Sequence, residues 1–307
     1  AIENKADLII VEKFGEREQL GDGLSDDIMN AMAEGIPVLV AVPAGVVDKW
    51  TEFTGGLGDL LPSRIENLNQ WWAKDNLYEE LIRPIPDVPI KRVVVGINWI
   101  LIEGPDGCGL SHTPAKGTGG CRAVRQASKL ATMSLKELAQ LVHSWNPFET
   151  ALGMAAINAF YNRYDLDGEQ VNGLDLIGKA EGPVTVVGAF KNVERKFKNA
   201  RIVELNPTEN QYPQFAAATL LLSSEAAVIT ASSLVNKSLP ALLRSCEQNK
   251  AALVGPGTPL APALHAYGID ILSGLIVDDI DAVTTVIGSG GSVQDIKPHC
   301  RYLTLEN

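Results

Sequence analysis

The sequence predicts an α/β protein whose C-terminal part is a doubly wound, Rossmann-like parallel sheet. Two observations indicate this fold class. From residue 183 onward, short apolar segments alternate with helical segments, which is typical of parallel strands joined by crossover helices. At the N-terminus, an apolar segment, a helical segment and a second apolar segment follow one another, which is the β–α–β unit of a parallel sheet.

The N-terminal unit has its first predicted strand in ADLIIVEKFGE and its second in IPVLVAV. Between them, SDDIMNAMAEG predicts a helix with Ser25 as its N-cap and Gly35 just beyond its end. Two strands and one helix cannot bury a core alone, so we expect this segment to belong to a larger domain or to dock on the rest of the chain. Because the chain opens close to a strand and without a start Met, we also expect residues to be missing upstream.

The middle of the chain, residues 64–170, shows an α+β pattern. LPSRIENLNQWWAKDNLYEELIR predicts a helix after Pro62 and Ser63, and KRVVVGINWILIEG predicts a pair of strands. SLKELAQLVHS predicts a second helix with a capping box, because Ser134 is followed three residues later by Glu137. FETALGMAAINAFYNRY predicts a helix rich in small residues, which suits close packing.

The C-terminal part supplies the parallel sheet. Strands are predicted in VTVVG, RIVELNP, AAVIT, AALVG and LSGLIV, with helices in AFKNVERKF and SLPALLRSC. In such open sheets, ligands bind beyond the carboxyl ends of the strands. This rule selects four loops as candidate binding elements, which read GAFKNV, ELNPTENQ, ASSLVNKS and GPGTPLAP.

Composition excludes several classes of function. A chain of 307 residues favours about two domains, and its net charge of −11 makes nucleic acid an improbable partner. No apolar run reaches the roughly 20 residues that span a bilayer, and no signal peptide is visible, so we expect a cytoplasmic protein without a membrane partner. The four cysteines do not form a disulfide framework. The P-loop, GxSxG and HExxH motifs do not occur in the sequence.

The loop ASSLVNKS carries the most polar candidates. Ser232, Ser233, Asn236 and Lys237 follow an apolar strand and precede a helix. Backbone N–H groups at the start of a helix bind anions, and Lys237 would add a positive charge there. The alternative interpretation is that Ser232 or Ser238 caps the helix and that Lys237 points to solvent.

The neighbouring loops add weaker candidates. The GPGTP turn, with Gly255 and Thr258, would let a ligand approach the backbone, or it is simply a tight turn. The first strand is followed by Gly188 but lacks the GxGxxG fingerprint. Glu204 ends the second strand, where a dinucleotide-binding domain places its ribose-binding acid. The basic segment KNVERKFKNAR is interpreted either as a solvated helix face or as a patch for a small anion.

The segment CGLSHTPAKGTGGC, residues 108–121, contains three residues that could ligate a metal. Cys108, His112 and Cys121 do not have the short paired spacing of a structural zinc site. We therefore expect a glycine-rich loop that lines a cleft rather than a closed tetrahedral site. His112 would contact a ligand there, and the two thiols would favour a soft metal if they face the cleft.

The chain resembles two known families. Residues from about 64 to 307 resemble a family labelled as heavy-metal chelation, in the stretches VVVGINW, GLSHTP, ALGMAAINA, VVGAF, VELNP, ITASSLVNKSLPALL and ALVGPGTPLAPALHAYGIDILSG. The resemblance implies an enolase-N-terminal-like α+β domain, a Rossmann-like domain and a site in the cleft between them. Residues 1 to about 60 resemble, in ADLIIVEKFGEREQLGDGLSDDI and GIPVLVAV, the second half of an NTPase-like family met near molybdenum-transport genes. The first half of that family, where a nucleotide loop would lie, has no counterpart in this sequence.

The resemblance implies three segments and a function. They are a partial NTPase-like β–α–β segment at 1–62, an enolase-N-terminal-like domain at 63–180 and a Rossmann-like domain at 181–307. We expect a metal-handling protein that binds a metal, a metal oxyanion such as molybdate or tungstate, or a metal chelate in the cleft. Such a protein would have a small-molecule or metal ligand as its partner and could form a homo-oligomer. The alternatives are an enzyme that acts on a small carboxylate with a dinucleotide, and a scaffold in metallocofactor assembly.

The expected ligand-binding residues come from both domains of the cleft. They are Ser111, His112, Thr113, Asn158, Glu204, Ser232, Ser233, Asn236, Lys237, Gly255 and Thr258. The expected metal ligands are Cys108, His112, Cys121 and Glu204.

Overall fold

The computed structural model divides the chain into two compact units, Ala1–Asn69 and Gln70–Asn307. It describes residues 6, 8–34, 36–55, 60, 61, 63, 64, 68, 77–114, 124, 127–178, 180–246 and 249–307. None of the helices in these ranges is long and apolar enough to cross a membrane. The predicted domain boundaries at 62/63 and 180/181 stay predictions.

The N-terminal unit contains the predicted β–α–β arrangement. Strands β1 (Ile9–Val11) and β2 (Val38–Val40) pair in parallel, and an aromatic cluster around Phe14, which is fully buried, forms the core. The helices are α1 (Glu16–Gln19), α2 (Ser25–Ala33) and α3 (Val47–Phe53), with a 3-10 turn at Ala44–Val46.

The predicted cap of α2 differs from the observed one. Ser25 is the first residue of the helix, and Leu24 occupies the N-cap position. The Ser25 hydroxyl donates to the Asp22 carbonyl at 2.6 Å, so it closes the preceding turn instead of accepting from the helix. Gly35, the expected end signal, lies outside the described residues.

The second unit begins with an α+β layer. Strands β3 (Arg92–Val95), β4 (Trp99–Glu103) and β5 (Cys108–His112) form an antiparallel sheet. The helices of this layer are α4 (Leu77–Ile82), α5 (Leu135–Gln140) and α6 (Pro147–Tyr161), with 3-10 segments at Ala127–Thr132 and Leu141–His143. Helix α7 (Gly173–Ile177) follows and packs on the parallel sheet described below. The predicted capping box of α5 is confirmed. Helix α4 is the C-terminal end of the helix predicted in LPSRIENLNQWWAKDNLYEELIR, and most of the rest of that helix falls outside the described residues.

Residues 108–112 correct the prediction of a loop, because they form the third strand of this sheet. Cys108 and Leu110 point into one hydrophobic cluster. Gly109 faces α6 so closely that a Cβ there would collide with the Ala155 carbonyl and the Ala159 amide. Glycine is typical of loops in a sequence pattern, but here it permits close contact between a helix and a strand. This explains why the segment was predicted as a loop.

The Rossmann-like sheet follows. Its strands are β6 (Val184–Val187), β7 (Ala200–Glu204), β8 (Tyr212–Pro213), β9 (Ala226–Thr230), β10 (Lys250–Val254), β11 (Ile271–Val277) and β12 (Cys300–Glu306). The order is β12-β11-β10-β9-β6-β7-β8, and every neighbouring pair is parallel except β11–β12. The parallel strands thus have the Rossmann order, with its reversal between β6 and β9. The predicted fold class is confirmed.

The helices of the Rossmann-like part are short. They are α8 (Val193–Lys196), α9 (Ala217–Leu222), α10 (Ser232–Val235), α11 (Leu239–Arg244), α12 (Ile280–Gly288) and α13 (Val293–Ile296), with 3-10 turns at Gln214–Ala216, Pro262–Tyr267 and Lys297–His299. The largest hydrophobic cluster of the second unit contains residues of α6 together with residues of β9 and β10, so the two layers share a core.

Candidate functional site

A cleft of about 350 Å³ opens at the carboxyl ends of β6, β9 and β10, which include the reversal point of the sheet. Ligands of open α/β sheets bind at this position. The polar side chains that line the cleft are Ser111, His112, Asn172, Lys191, Thr230, Ser232, Gln294 and Lys297. The other lining residues are Trp99, Leu174, Ala189, Phe190, Ala231, Val235, Val254, Gly255, Pro256, Gly257, Val293 and Tyr302.

The charge of this cleft is opposite to that of the chain. Two lysines, Lys191 and Lys297, line it, whereas its described lining contains no Asp, Glu or Cys. The Lys297 ammonium lies 5.2 Å from the centre of the Tyr302 ring, within cation–π distance. The chain as a whole has a net charge of −11, yet the described lining of this cleft contains cations and no carboxylates. Such a cleft favours an anionic ligand.

Asn158 fixes the floor of the cleft. Its side chain is completely buried on α6, and its Nδ2 donates to the Leu110 carbonyl at 2.7 Å and to the Gly257 carbonyl at 2.9 Å. These two bonds tie strand β5 to the loop that follows β10. The sequence identified Asn158 as a site residue, and the structure places it behind the lining, where it positions the loop.

Three buried side-chain oxygen atoms near these bonds have no hydrogen-bond partner among the described residues. They are Ser111 Oγ, Asn158 Oδ1 and Thr258 Oγ1. Each of these residues is at most 1% exposed, and Ser111 lines the cleft. Buried polar atoms are normally paired, so the floor of the cleft has unused hydrogen-bonding capacity.

His112 ends β5 at the mouth of the cleft. Its ring meets the Trp99 ring edge-on, with centroids 5.5 Å apart and an interplanar angle of 84°. Partial burial lowers the pKa of His112 below the usual value, so the imidazole is neutral at pH 7. A neutral imidazole can still accept or donate a hydrogen bond to a ligand.

Four further predicted residues divide between the lining and the interior. Ser232 and Gly255 line the cleft as expected. Thr113 and Ser233 are buried and are not among the lining residues. The Thr113 hydroxyl donates to a carbonyl of the β3–β4 turn at 2.9 Å, and the Ser233 hydroxyl donates to the last carbonyl of β9 at 2.7 Å. Both hydroxyls therefore stabilise local turns.

Glu204 and Asn236 also lie outside the cleft lining. The Glu204 carboxylate accepts from the backbone N–H of Leu205 at 3.2 Å. The side-chain amide oxygen of Asn236 (Oδ1) accepts from the backbone N–H and the hydroxyl of Ser238, at 3.1 and 2.7 Å. These short-range bonds use the side chains that were expected to reach a ligand.

Lys237 differs most from its predicted placement. It follows the C-terminal end of the four-residue helix α10 and has a left-handed φ of 61°. Its ammonium lies 4.5 Å from the centre of the Trp145 ring, and burial lowers its pKa. The structure thus directs this charge to an aromatic side chain and not to a helix N-terminus in the cleft.

The predicted metal ligands do not come together in the described residues. Burial, with the nearby Glu103 carboxylate, raises the pKa of Cys108 well above its usual value and keeps it a thiol, whereas metals bind the thiolate. Cys121 lies outside the described residues. The part of the chain that the structure describes contains no group of three or more His, Cys, Asp or Glu side chains that could hold a metal ion.

Among the aromatic and cationic lining residues, sequence reasoning did not name Trp99, Phe190, Lys297 or Tyr302, and it named Lys191 only as part of a patch for a small anion. Phe190 and Lys191 lie in the GAFKNV loop, which the strand-end rule had selected as a whole. Lys297 and Tyr302 belong to the antiparallel edge of the sheet and the turn before it. No general rule points from the sequence of an antiparallel edge strand to a ligand site.

Comparison with known families accounts for nearly all of the chain. Models described as "Putative heavy-metal chelation" match residues 78–161 and 172–306. A model for a protein family of unknown function matches residues 1–71.

Individual proteins resemble separate parts of the chain. A solved structure of a protein with unknown function from Desulfitobacterium hafniense DCB-2 is 29% identical, with a TM-score of 0.70. The match covers 78% of this chain and 100% of that protein. Another from Pyrococcus horikoshii, 20% identical with a TM-score of 0.64, covers 76% of this chain and shares the fold. The Molybdenum import ATP-binding protein ModC 2 of Bradyrhizobium diazoefficiens is 43% identical over 94 residues at the N-terminal end, which are 31% of this chain and 10% of that protein.

Both solved structures belong to the family that matches residues 172–306. Residues 78–161 and 172–306 of this chain therefore match two family models that are both described as "Putative heavy-metal chelation", and they follow an N-terminal segment that resembles part of a molybdenum-import ATP-binding protein.

Proposed function

We propose that this protein handles a metal by binding it as an anion, either a metal oxyanion or a metal enclosed in an anionic chelate, in the cleft of the second unit. The observation that carries the proposal is the lining of the cleft. It contains Lys191 and Lys297 but, among the described residues, no carboxylate or thiol. Such a site attracts negative charge and has few atoms that could replace the inner shell of a bare cation.

The match to heavy-metal-chelation models and the geometry of the cleft are compatible only if the metal binds with its inner coordination shell already filled. Direct chelation by the protein needs several His, Cys, Asp or Glu side chains around one ion, and the described residues contain no such group. His112 is the only side chain of these types in the described lining. A metal whose inner shell is already filled needs charge, hydrogen bonds and shape from the protein, which the cleft supplies.

Molybdenum or tungsten is the metal that we propose first. The N-terminal part of the chain resembles a molybdenum import protein, and both metals occur as oxyanions. The predicted alternative, a dinucleotide-dependent enzyme, used Glu204 to bind the ribose. Because Glu204 does not line the cleft, no contact among the residues that the structure describes favours that alternative.

The test is calorimetric titration with molybdate, tungstate and the molybdate complex of 2,3-dihydroxybenzoate. A lysine that contacts a bound anion contributes about 1.5–3 kcal/mol, so loss of either Lys191 or Lys297 should weaken binding about tenfold or more. The matched control is the double variant Lys129→Ala, Lys198→Ala, which removes the same charge from exposed positions outside the lining.

We expect at least one of the three metal species to bind the natural protein and the control with equal affinity, and to bind the double variant Lys191→Ala, Lys297→Ala much more weakly. The proposal is wrong if none of the three binds, or if the double variant and its control have the same affinity.

A further inference from the structure

The cleft has more aromatic and apolar surface than a free oxyanion requires. Trp99 comes from β4, Phe190 from the loop after β6, and Tyr302 from β12, so three distant segments each bring one ring to the same lining. Aromatic residues make up only 6% of the chain. A small hydrated oxyanion is bound by N–H groups and cations and gains nothing from aromatic walls.

Cationic and aromatic side chains come from the same segments of the cleft. Lys191 directly follows Phe190 in the chain, and the Lys297 ammonium lies 5.2 Å from the centre of the Tyr302 ring. A ligand that satisfies both features has a flat apolar body with negative groups at its edge. The cleft volume of about 350 Å³ is within the range of sites for small organic molecules.

The floor of the cleft provides a third, independent feature. Ser111 lines the cleft, is 1% exposed, and has a hydroxyl without a partner among the described residues. A hydroxyl group accepts and donates hydrogen bonds, so it can bind a phenolic or carboxylic oxygen of a ligand. Because a buried hydroxyl without a partner is costly, a ligand that reaches Ser111 relieves that cost.

We propose that the natural ligand is an aromatic organic anion, an aryl ring that carries phenolate or carboxylate groups, and that the metal enters the cleft inside a complex of this kind. The proposal rests on the function proposed above and specifies its ligand class. The ring stacks on Phe190 and the other aromatic side chains, the lysines bind the negative groups, and Ser111 binds one oxygen at the floor.

The experiment compares two molybdate complexes, one with 2,3-dihydroxybenzoate and one with the aliphatic chelator citrate, by calorimetric titration. The test variant is Phe190→Leu, which removes the ring from a half-buried loop position and keeps an apolar side chain. The control is Phe215→Leu, because Phe215 is 88% exposed and lies outside the lining. Circular dichroism verifies that both variants are folded.

We expect the aryl complex to bind the natural protein at least tenfold more tightly than the citrate complex. Phe190→Leu should lose most of that preference, Phe215→Leu should keep it, and Ser111→Ala should weaken the aryl complex in a fully folded protein. Equal affinity for the two complexes, or an equal effect of Phe190→Leu on both, would overturn the proposal.

The outcomes separate this proposal from the one on which it rests. If molybdate alone binds in a lysine-dependent way and the aryl complex binds no better, the metal function stands and the aromatic ligand is wrong. If 2,3-dihydroxybenzoate binds equally with and without molybdate, the aromatic ligand class stands and the metal function is wrong.

Discussion

Replacing Asn158 by alanine should loosen the floor of the cleft and destabilise the second unit. Asn158 is completely buried, and its amide group donates two hydrogen bonds, to Leu110 on β5 and to Gly257 in the loop after β10. Because this single side chain joins an antiparallel strand to a Rossmann loop, its loss affects both layers of the unit.

The expected magnitude follows from the burial of these bonds. A hydrogen bond contributes about 0.5–1.5 kcal/mol, and a buried group left without its partner costs about 1–3 kcal/mol. For two bonds at a completely buried position, we expect Asn158→Ala to lower the free energy of unfolding by about 2–4 kcal/mol. Loss of Asn158 Oδ1, which has no hydrogen-bond partner within the described ranges, offsets part of this cost.

Asn98→Ala is the matched control for this substitution. Its Nδ2 also donates to two carbonyls, those of Gly290 and Gly291 at 2.8 and 3.2 Å, but the side chain is only half-buried. Water can replace these bonds, so the expected loss is under about 1 kcal/mol. The assay is urea denaturation followed by tryptophan fluorescence and far-UV circular dichroism. The reasoning is refuted if the two variants unfold with the same free energy.

Three further predictions concern strand β5 and the residues near it. Gly109→Ala should lower the free energy of unfolding by more than about 3 kcal/mol, which is above the usual cost of overpacking. The added methyl group meets backbone atoms of α6 that cannot move aside. Thermal melting measures this loss of stability. Cys108 and Cys300 should react with a thiol reagent roughly a hundredfold more slowly in the native than in the denatured protein, because burial raises both pKa values, that of Cys300 to about 12; equal rates would contradict this burial. The depressed pKa of His112 means that protonation adds a positive charge to the cleft only below about pH 6.5. Affinity for an anion should therefore rise as pH falls through this range, and His112→Gln should flatten the profile.

Protonation of His112 also changes the stability of the folded protein with pH. The folded pKa of His112 is lower than the unfolded value, so the unfolded chain takes up its proton first as the pH falls. The contribution of His112 to stability is therefore fully present above about pH 6.5 and declines below it. A pH series of denaturation curves with His112→Gln as the reference measures this contribution.

The sheet could be predicted from the sequence because its strands are continuous apolar segments separated by helical ones. A parallel strand that is buried on both faces needs such a segment, as in AAVIT and AALVG, and both segments form central strands. The strand at residues 108–112 could not be predicted in this way. Gly109 and Ser111 occupy the face that packs on α6, and neither residue looks like part of a core in a sequence.

The site was predictable only in part, for a physical reason. The strand-end rule selects loops but gives no direction for individual side chains, and local hydrogen bonds or ring contacts turn Glu204, Asn236 and Lys237 away from the cleft. Conversely, Lys297 and Tyr302 reach the cleft from the final strand and the turn before it. The pairing of β12 with β11 that brings them there is a long-range contact, which no local pattern encodes.

Crystals of the natural protein soaked with tungstate, or with its 2,3-dihydroxybenzoate complex, would test the central claim most directly, because anomalous scattering locates the metal. The account predicts that the strongest anomalous peak lies in the cleft at the ends of β6, β9 and β10, with oxygen atoms of the metal species within hydrogen-bond distance of Lys191 or Lys297. A peak elsewhere on the protein, or an empty cleft at saturating ligand, would contradict it.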